Sequence, residues 1–109
     1  VDLDIKSISV QKLNILLSQA SKETLLIDVR EQIEYDEYSI AGSRLIPLNS
    51  IESGESINEI KILSAQKNLY VFCKSGKRSL RALKYLKKCG IDGTNIEGGI
   101  EAWNEANMN

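Results

Sequence analysis

The chain has no histidine among its 109 residues. That absence excludes every Cys-His and Ser-His catalytic pair and removes a principal ligand of zinc sites. Only two cysteines are present, Cys73 and Cys89, too few for a disulfide framework and not spaced as Cys-x-x-Cys. No apolar run approaches the roughly 18 residues that a membrane-spanning helix needs. Residues 1–4, Val-Asp-Leu-Asp, lack the basic stretch and apolar run of a signal peptide. Val1 stands where an initiating Met is expected, which points to a fragment of a longer chain or a processed product. Any nucleophile here must be activated by fixed positive charge and backbone dipoles.

The composition is that of a globular protein, with 42% apolar and 27% charged residues. The length predicts a single domain over 1–109, large enough to bury a core without staples. The net charge of −1 hides an asymmetry. Between Lys74 and Lys88 lie seven cations (Lys74, Lys77, Arg78, Arg81, Lys84, Lys87, Lys88) and no carboxylate. The rest of the chain holds the other seven cations against all fifteen carboxylates. A basic face on a near-neutral chain suits a small anionic substrate or an acidic partner surface. For Lys84, Lys87 and Lys88, farther from the loop, a solvated helix face serves as well.

The pattern alternates between helix and strand. Ser9 is placed to cap a helix with Val10, Leu13, Leu16, Leu17 and Ala20 on one face. Leu25 to Val29 is an apolar run suited to a buried parallel strand. Glu31 to Tyr38 predicts a short acidic helix, Gly42-Ser43 a turn, and Leu45-Ile46-Pro47-Leu48 a short or edge strand ended by proline. Ile57, Ile60 and Leu63 have helical spacing. Leu69 to Phe72 predicts a second apolar strand that ends at Cys73. Leu80, Leu83, Tyr85 and Leu86 fall in a helix stopping near Gly90, Thr94 to Ile96 forms a brief strand, and Gly98-Gly99 opens a last helix with Ala102 and a core Trp103. The expected class is α/β, with a central, mainly parallel sheet covered by helices on both faces.

Ligands of such sheets bind beyond the carboxyl ends of the strands, where Cys73 falls. The loop Lys74-Ser75-Gly76-Lys77-Arg78-Ser79 contains a glycine and small polar residues, so it can curl tightly and turn its N–H groups inward as an anion cradle. The dipole of the following helix, with Lys77 and Arg78, favours a thiolate, and the planar Arg78 suits an oxyanion such as thiosulfate. A cysteine at a strand end is also a common core residue. Its position, the basic loop and the helix behind it favour the reactive reading. Cys89, late in a helix and before Gly90, reads as a packing or incidental thiol rather than a resolving one. Asp28 and Arg30 read as a buried structural pair rather than a catalytic one.

The motifs Leu26-Ile27-Asp28-Val29-Arg30-Glu31 with Glu34-Tyr35, Ile40-Ala41-Gly42-Ser43, Ile46-Pro47-Leu48, Phe72-Cys73-Lys74-Ser75-Gly76-Lys77-Arg78-Ser79 and Glu97-Gly98-Gly99-Ile100-Glu101-Ala102-Trp103 span nearly the whole chain. In this order they resemble the rhodanese homology domain. The stretch from Cys73 to Trp103 is similar to the C-terminal domain of molybdopterin-synthase adenylyltransferase/sulfurtransferase proteins. The resemblance implies a rhodanese-like fold and a sulfurtransferase that carries sulfur as a persulfide on Cys73, with residues 74–79 binding substrate. It implies no metal and no other cofactor. The donor would be thiosulfate or a cysteine desulfurase persulfide. The acceptor would be a ubiquitin-like sulfur carrier of molybdopterin or thiolated-tRNA synthesis, in the cytoplasm. Tyr38-Ser39 depart from the family's common Gly-His, a drift that fits domains fused behind an adenylating enzyme.

Two other readings compete. Cysteine-dependent phosphatases use a Cys-x5-Arg loop sized for phosphate, whereas Cys73 and Arg78 form Cys-x4-Arg, sized for one added sulfur atom. Non-catalytic rhodanese-like interaction modules usually lack the cysteine, which is kept here. A nucleic-acid partner is not expected, because the basic stretch carries one aromatic, Tyr85, and no stacking platform.

Overall fold

Two apolar runs set the architecture. The computed structural model, which describes residues 4–108, turns them into strands β2 (Thr24–Asp28) and β4 (Asn68–Phe72). These pair in parallel, Leu25 beside Leu69 and Asp28 beside Phe72. Residues 1–3, on which the reading of the N-terminus rests, and residue 109 lie outside the described residues. Two further strands, β1 (Lys6–Ile8) and β3 (Arg44–Leu45), form the edges, and β5 (Thr94–Ile96) completes the order β1-β5-β4-β2-β3. Every pairing is parallel.

Side chains alternate along each strand, so each apolar run feeds both faces. Leu25, Ile27, Val29, Leu69 and Val71 pack with α3 (Leu48–Glu52), α4 (Ile57–Ser64) and α5 (Lys77–Lys88) through Leu48, Ile51, Ile60, Ala82, Leu83 and Leu86. Leu26, Phe72 and Ile96 pack on the other face with α1 (Val10–Gln19) and α6 (Gly99–Glu105) through Val10, Leu13, Ile100 and Trp103. The sheet is therefore covered on both faces, an α/β fold. The Ser9 hydroxyl caps α1 by accepting from the Lys12 N–H at 3.1 Å. A short helix α2 (Gln32–Glu37) follows β2, and Glu34 folds back to accept the Glu31 N–H at 2.9 Å. Among the described residues, no helix is long and apolar enough to cross a membrane.

The structure corrects one expectation. Pro47 does not end a strand that includes Leu48. The strand is Arg44–Leu45, and Pro47 is the residue from which α3 starts. Its fixed φ of −59° and missing N–H suit a helix start, and its carbonyl accepts the Ser50 N–H at 3.0 Å. The edge strand β1 was not expected at all.

Candidate functional site: a cysteine enclosed by a loop at a sheet edge of carboxyl ends

The alternation that builds the core also aims Cys73. Val71 faces α5, Phe72 faces α6, and Cys73 faces α5 again. The chain then curls through Lys74, Ser75 and Gly76 into the first turn of α5. Gly76 adopts φ +122°, a conformation that L side chains rarely adopt, and its N–H donates to Cys73 Sγ at 3.0 Å. The Ser79 hydroxyl lies 3.4 Å from the same sulfur. Burial pushes the Cys73 thiol up, but hydrogen bonds from the Ser79 hydroxyl and from the N–H groups of Ser79, Gly76 and Ser75 outweigh it, so the thiol is more acidic than usual. Cys73 itself is only 1% exposed, with exposed Lys74, Ser75 and Lys77 above it.

Ser79 is fully buried and lies at a junction rather than at the surface. Its Oγ is 2.6 Å from Asn95 Oδ1 and 3.0 Å from the Gly76 carbonyl. Asn95, also buried, donates through Nδ2 to Ser7 Oγ at 3.3 Å. A hydroxyl carries a single proton, so Ser79 can serve one acceptor at a time. When Cys73 is a thiol, Ser79 can accept from it. When Cys73 is a thiolate, Ser79 can turn its proton to the sulfur, beside the backbone N–H groups that already face it.

The Gly98-Gly99 turn fixes the loop from behind. A Cβ on Gly99 would fall 2.4 Å from the Cys73 carbonyl oxygen and 2.6 Å from that of Lys74. This close approach lets the first turn of α6 take both carbonyls. The Ile100 N–H donates to the Cys73 carbonyl at 2.9 Å and the Glu101 N–H to the Lys74 carbonyl at 3.1 Å. With the carbonyls held outward, the following N–H groups are free to face the sulfur.

Of the residues expected to meet substrate, Lys74, Ser75 and Lys77 are exposed at the loop mouth and Gly76 touches the sulfur. Arg78 is placed differently. Its guanidinium is held by Glu34 of α2 in a two-pronged ion pair at 2.7 and 3.0 Å. Arg78 lowers the Glu34 carboxyl to about 2 against the opposing effect of its burial. Glu34 in turn makes Arg78 harder to deprotonate, as does the charge of Cys73. Ser79 also departs from the expectation, because it supports the sulfur from inside and does not open to solvent. The acidity of Cys73 comes chiefly from hydrogen bonds rather than from Lys77 and Arg78.

Asp28 and Arg30 form a buried pair at 2.8 Å. Asp28 also accepts from the Arg30 N–H and from Ser39 Oγ, and Arg30 donates to the Tyr38 carbonyl. Ser39 is thus a hydrogen-bond donor to a buried carboxylate, and every charge in the group has a partner. Cys89 follows α5 while Cys73 precedes it, so the 12-residue helix separates them by about 18 Å. A direct disulfide between the two in this fold is out of reach. Trp103 is core, at 4% exposure.

Sequence reasoning missed three contributors. Glu34 had a signal only in its motif, because its partner Arg78 lies 44 residues away. Asn95 is a polar residue in a short strand, beside Val71 and therefore on the face of α5. Gly99 read as a helix opener, and only its contact with the Cys73 loop shows why a side chain does not fit there.

The chain is similar to several known proteins over most of its length. The family model of the rhodanese-like domain matches residues 11–106. The chain is 39% identical over 85 residues to a probable adenylyltransferase/sulfurtransferase MoeZ of Mycobacterium tuberculosis, covering 77% of this chain and 21% of that protein. It therefore spans about a fifth of that relative's length. It is 34% identical over 101 residues to the putative sulfurtransferase YtwF of Bacillus subtilis, covering 93% of this chain and 92% of that one. A solved rhodanese-like domain protein from Staphylococcus aureus superposes with a TM-score of 0.77 at 32% identity, covering 91% of both chains.

Proposed function

The chain belongs to the rhodanese-like domain family, and from that premise we propose that it is a sulfurtransferase carrying sulfane sulfur as a persulfide on Cys73. The observation that carries the proposal is the Gly76 N–H aimed at Cys73 Sγ from 3.0 Å, inside a loop backed by the Ser79 hydroxyl. Backbone and hydroxyl donors converging on a buried sulfur stabilise an anion there without any histidine. In the first half-reaction the Cys73 thiolate attacks the outer sulfur of a donor such as thiosulfate. The donor's S–S bond breaks, its electron pair leaves on sulfite, and Cys73 holds an anionic persulfide. In the second half-reaction a nucleophile such as cyanide takes the outer sulfur and leaves as thiocyanate, returning the thiolate. This is covalent catalysis in two steps.

The residues of the loop divide the work in this proposal. Ser75, Gly76 and Ser79 hold the anion, and exposed Lys74 and Lys77 draw anionic donors and partners to the mouth. Arg78, tied to Glu34, fixes the loop against α2. The physiological donor in this proposal is thiosulfate or a cysteine desulfurase persulfide. The acceptor in this proposal is the adenylated C-terminal carboxylate of a ubiquitin-like sulfur carrier serving molybdopterin or thiolated-tRNA synthesis. There the outer persulfide sulfur displaces AMP, and a thiol reductant then cleaves the S–S bond to free the thiocarboxylate and Cys73. The choice is supported by the likeness to the MoeZ protein. A reducing, cytoplasmic setting belongs with this acceptor, since a thiol reductant must cleave the S–S bond formed with the carrier.

Thiosulfate-to-cyanide transfer tests the assignment. Cys73→Ser is expected to abolish it and Cys89→Ser to leave most of it. Equal loss in the two variants, or no effect of Cys73→Ser, would refute it.

A further inference from the structure

At the mouth of the loop one cation is shaped for anions and is already occupied. Arg78 has the planar, two-pronged geometry that recognises an oxyanion, and it is part-buried, with 31% of its side chain exposed. Both terminal nitrogens are engaged, Nη1 to Glu34 Oε1 and Nη2 to Glu34 Oε2. Glu34 is itself anchored, because its Oε1 also accepts the Glu31 N–H at 2.9 Å. Its carboxyl, lowered to about 2, stays ionised at any working pH. Lys74 and Lys77 remain, and neither has an ion-pair partner among the described residues. Both are exposed on flexible stems, where salt screens them and no fixed geometry selects a ligand.

The loop therefore presents less fixed positive charge than its sequence suggests. Taking the sulfurtransferase assignment as its basis, we propose that Glu34 is a specificity-determining residue: by neutralising Arg78 beside the Cys73 loop, it disfavours dianionic sulfur donors and favours donors of lower charge. Thiosulfate carries two negative charges. An organic persulfide or thiosulfonate carries one, and a persulfide at the tip of a partner protein brings at most one to the loop. A unit charge several ångströms from an ionic donor changes its binding by about three- to tenfold per donor charge when the loop mouth is open to water and its dielectric is close to that of bulk solvent. Glu34 acts through Arg78 and does not touch the sulfur.

The test compares two donors that differ by one charge, thiosulfate and benzenethiosulfonate. Each gives the same Cys73 persulfide, with sulfite or benzenesulfinate as the leaving group. The variant is Glu34→Gln, which keeps the oxygen that accepts the Glu31 N–H and removes the charge. Steady-state transfer to cyanide is measured with both donors, and thermal unfolding is followed for each protein. Glu34→Gln is expected to raise the thiosulfate-to-thiosulfonate ratio of kcat/KM by about fivefold, mainly through a lower KM for thiosulfate. Glu34→Asp, which keeps the charge, is expected to hold the wild-type ratio within about twofold. A ratio unmoved or lowered by Glu34→Gln would overturn the proposal while leaving the sulfurtransferase assignment standing. Transfer from neither donor by the wild-type protein would overturn both.

Discussion

Gly99 sits so close to the Cys73 carbonyl that a Cβ would come within 2.4 Å of its oxygen. The last helix therefore does more than close the fold. Its first N–H groups hold the carbonyls of Cys73 and Lys74 away from the sulfur, and the loop N–H groups take the opposite direction. Gly99→Ala should force the loop away from α6. The expected result is a loss of stability of roughly 1–3 kcal/mol from the left-handed φ and the clash. Slower alkylation of Cys73 at neutral pH should accompany it. Thermal denaturation and iodoacetamide kinetics in a Cys89→Ser background check both, and an unchanged alkylation rate would show that the contact does not shape the cradle.

The second prediction concerns Ser79. Its hydroxyl is the side-chain donor to the sulfur and the partner of Asn95. Ser79→Ala removes a hydrogen bond to an anion, so alkylation at neutral pH should fall roughly tenfold. Asn95, left without its 2.6 Å partner, should cost about 1–3 kcal/mol of stability. A loss of stability with alkylation unchanged would mean that Ser79 supports only the fold.

The third prediction is a pH dependence. Hydrogen bonding to the thiolate lowers the Cys73 pKa, so the alkylation rate should rise with pH to a plateau whose midpoint lies below the ordinary thiol value of 9.0. The Glu34 carboxyl falls from 4.5 to about 2. A depressed carboxyl stabilises the fold above its unfolded value and loses that contribution as pH falls through the folded one. The Glu34–Arg78 pair should therefore stabilise fully above about pH 4.5 and fade towards pH 2. Acid titration of the thermal midpoint, with Glu34→Gln as reference, measures the difference.

The fourth prediction concerns the buried pair. Arg30→Ala would leave Asp28 charged and without its main partner, at a cost of about 3–5 kcal/mol. Ser39→Ala removes one donor of several to Asp28 and should cost only about 1–2 kcal/mol. Urea unfolding of the two variants gives the comparison. A larger effect for Ser39→Ala would contradict this ranking.

Much of the fold was legible because burial on both faces writes strands as unbroken apolar runs. Leu25 to Val29 and Leu69 to Phe72 read as strands for that reason, and Ser9 read as a cap from its hydroxyl and the periodicity behind it. The edge strand Lys6–Ile8 left no such run, since its residues are exposed or half-buried. Pro47 was ambiguous because the same lost N–H ends a strand or begins a helix. Within the site, Cys73 and its loop were visible as a local pattern. The Glu34–Arg78 pair, the Ser79–Asn95 contact and the Gly99–Cys73 contact join segments 16 to 44 residues apart, and no local pattern records them.

The most direct test of a persulfide on Cys73 is intact-mass spectrometry of the protein after incubation with thiosulfate or benzenethiosulfonate, with peptide mapping of the product. One added sulfur atom on Cys73, removed again by cyanide, is the expected result. A Cys73 that stays unmodified with both donors, or sulfur that appears equally on Cys89, would contradict the account.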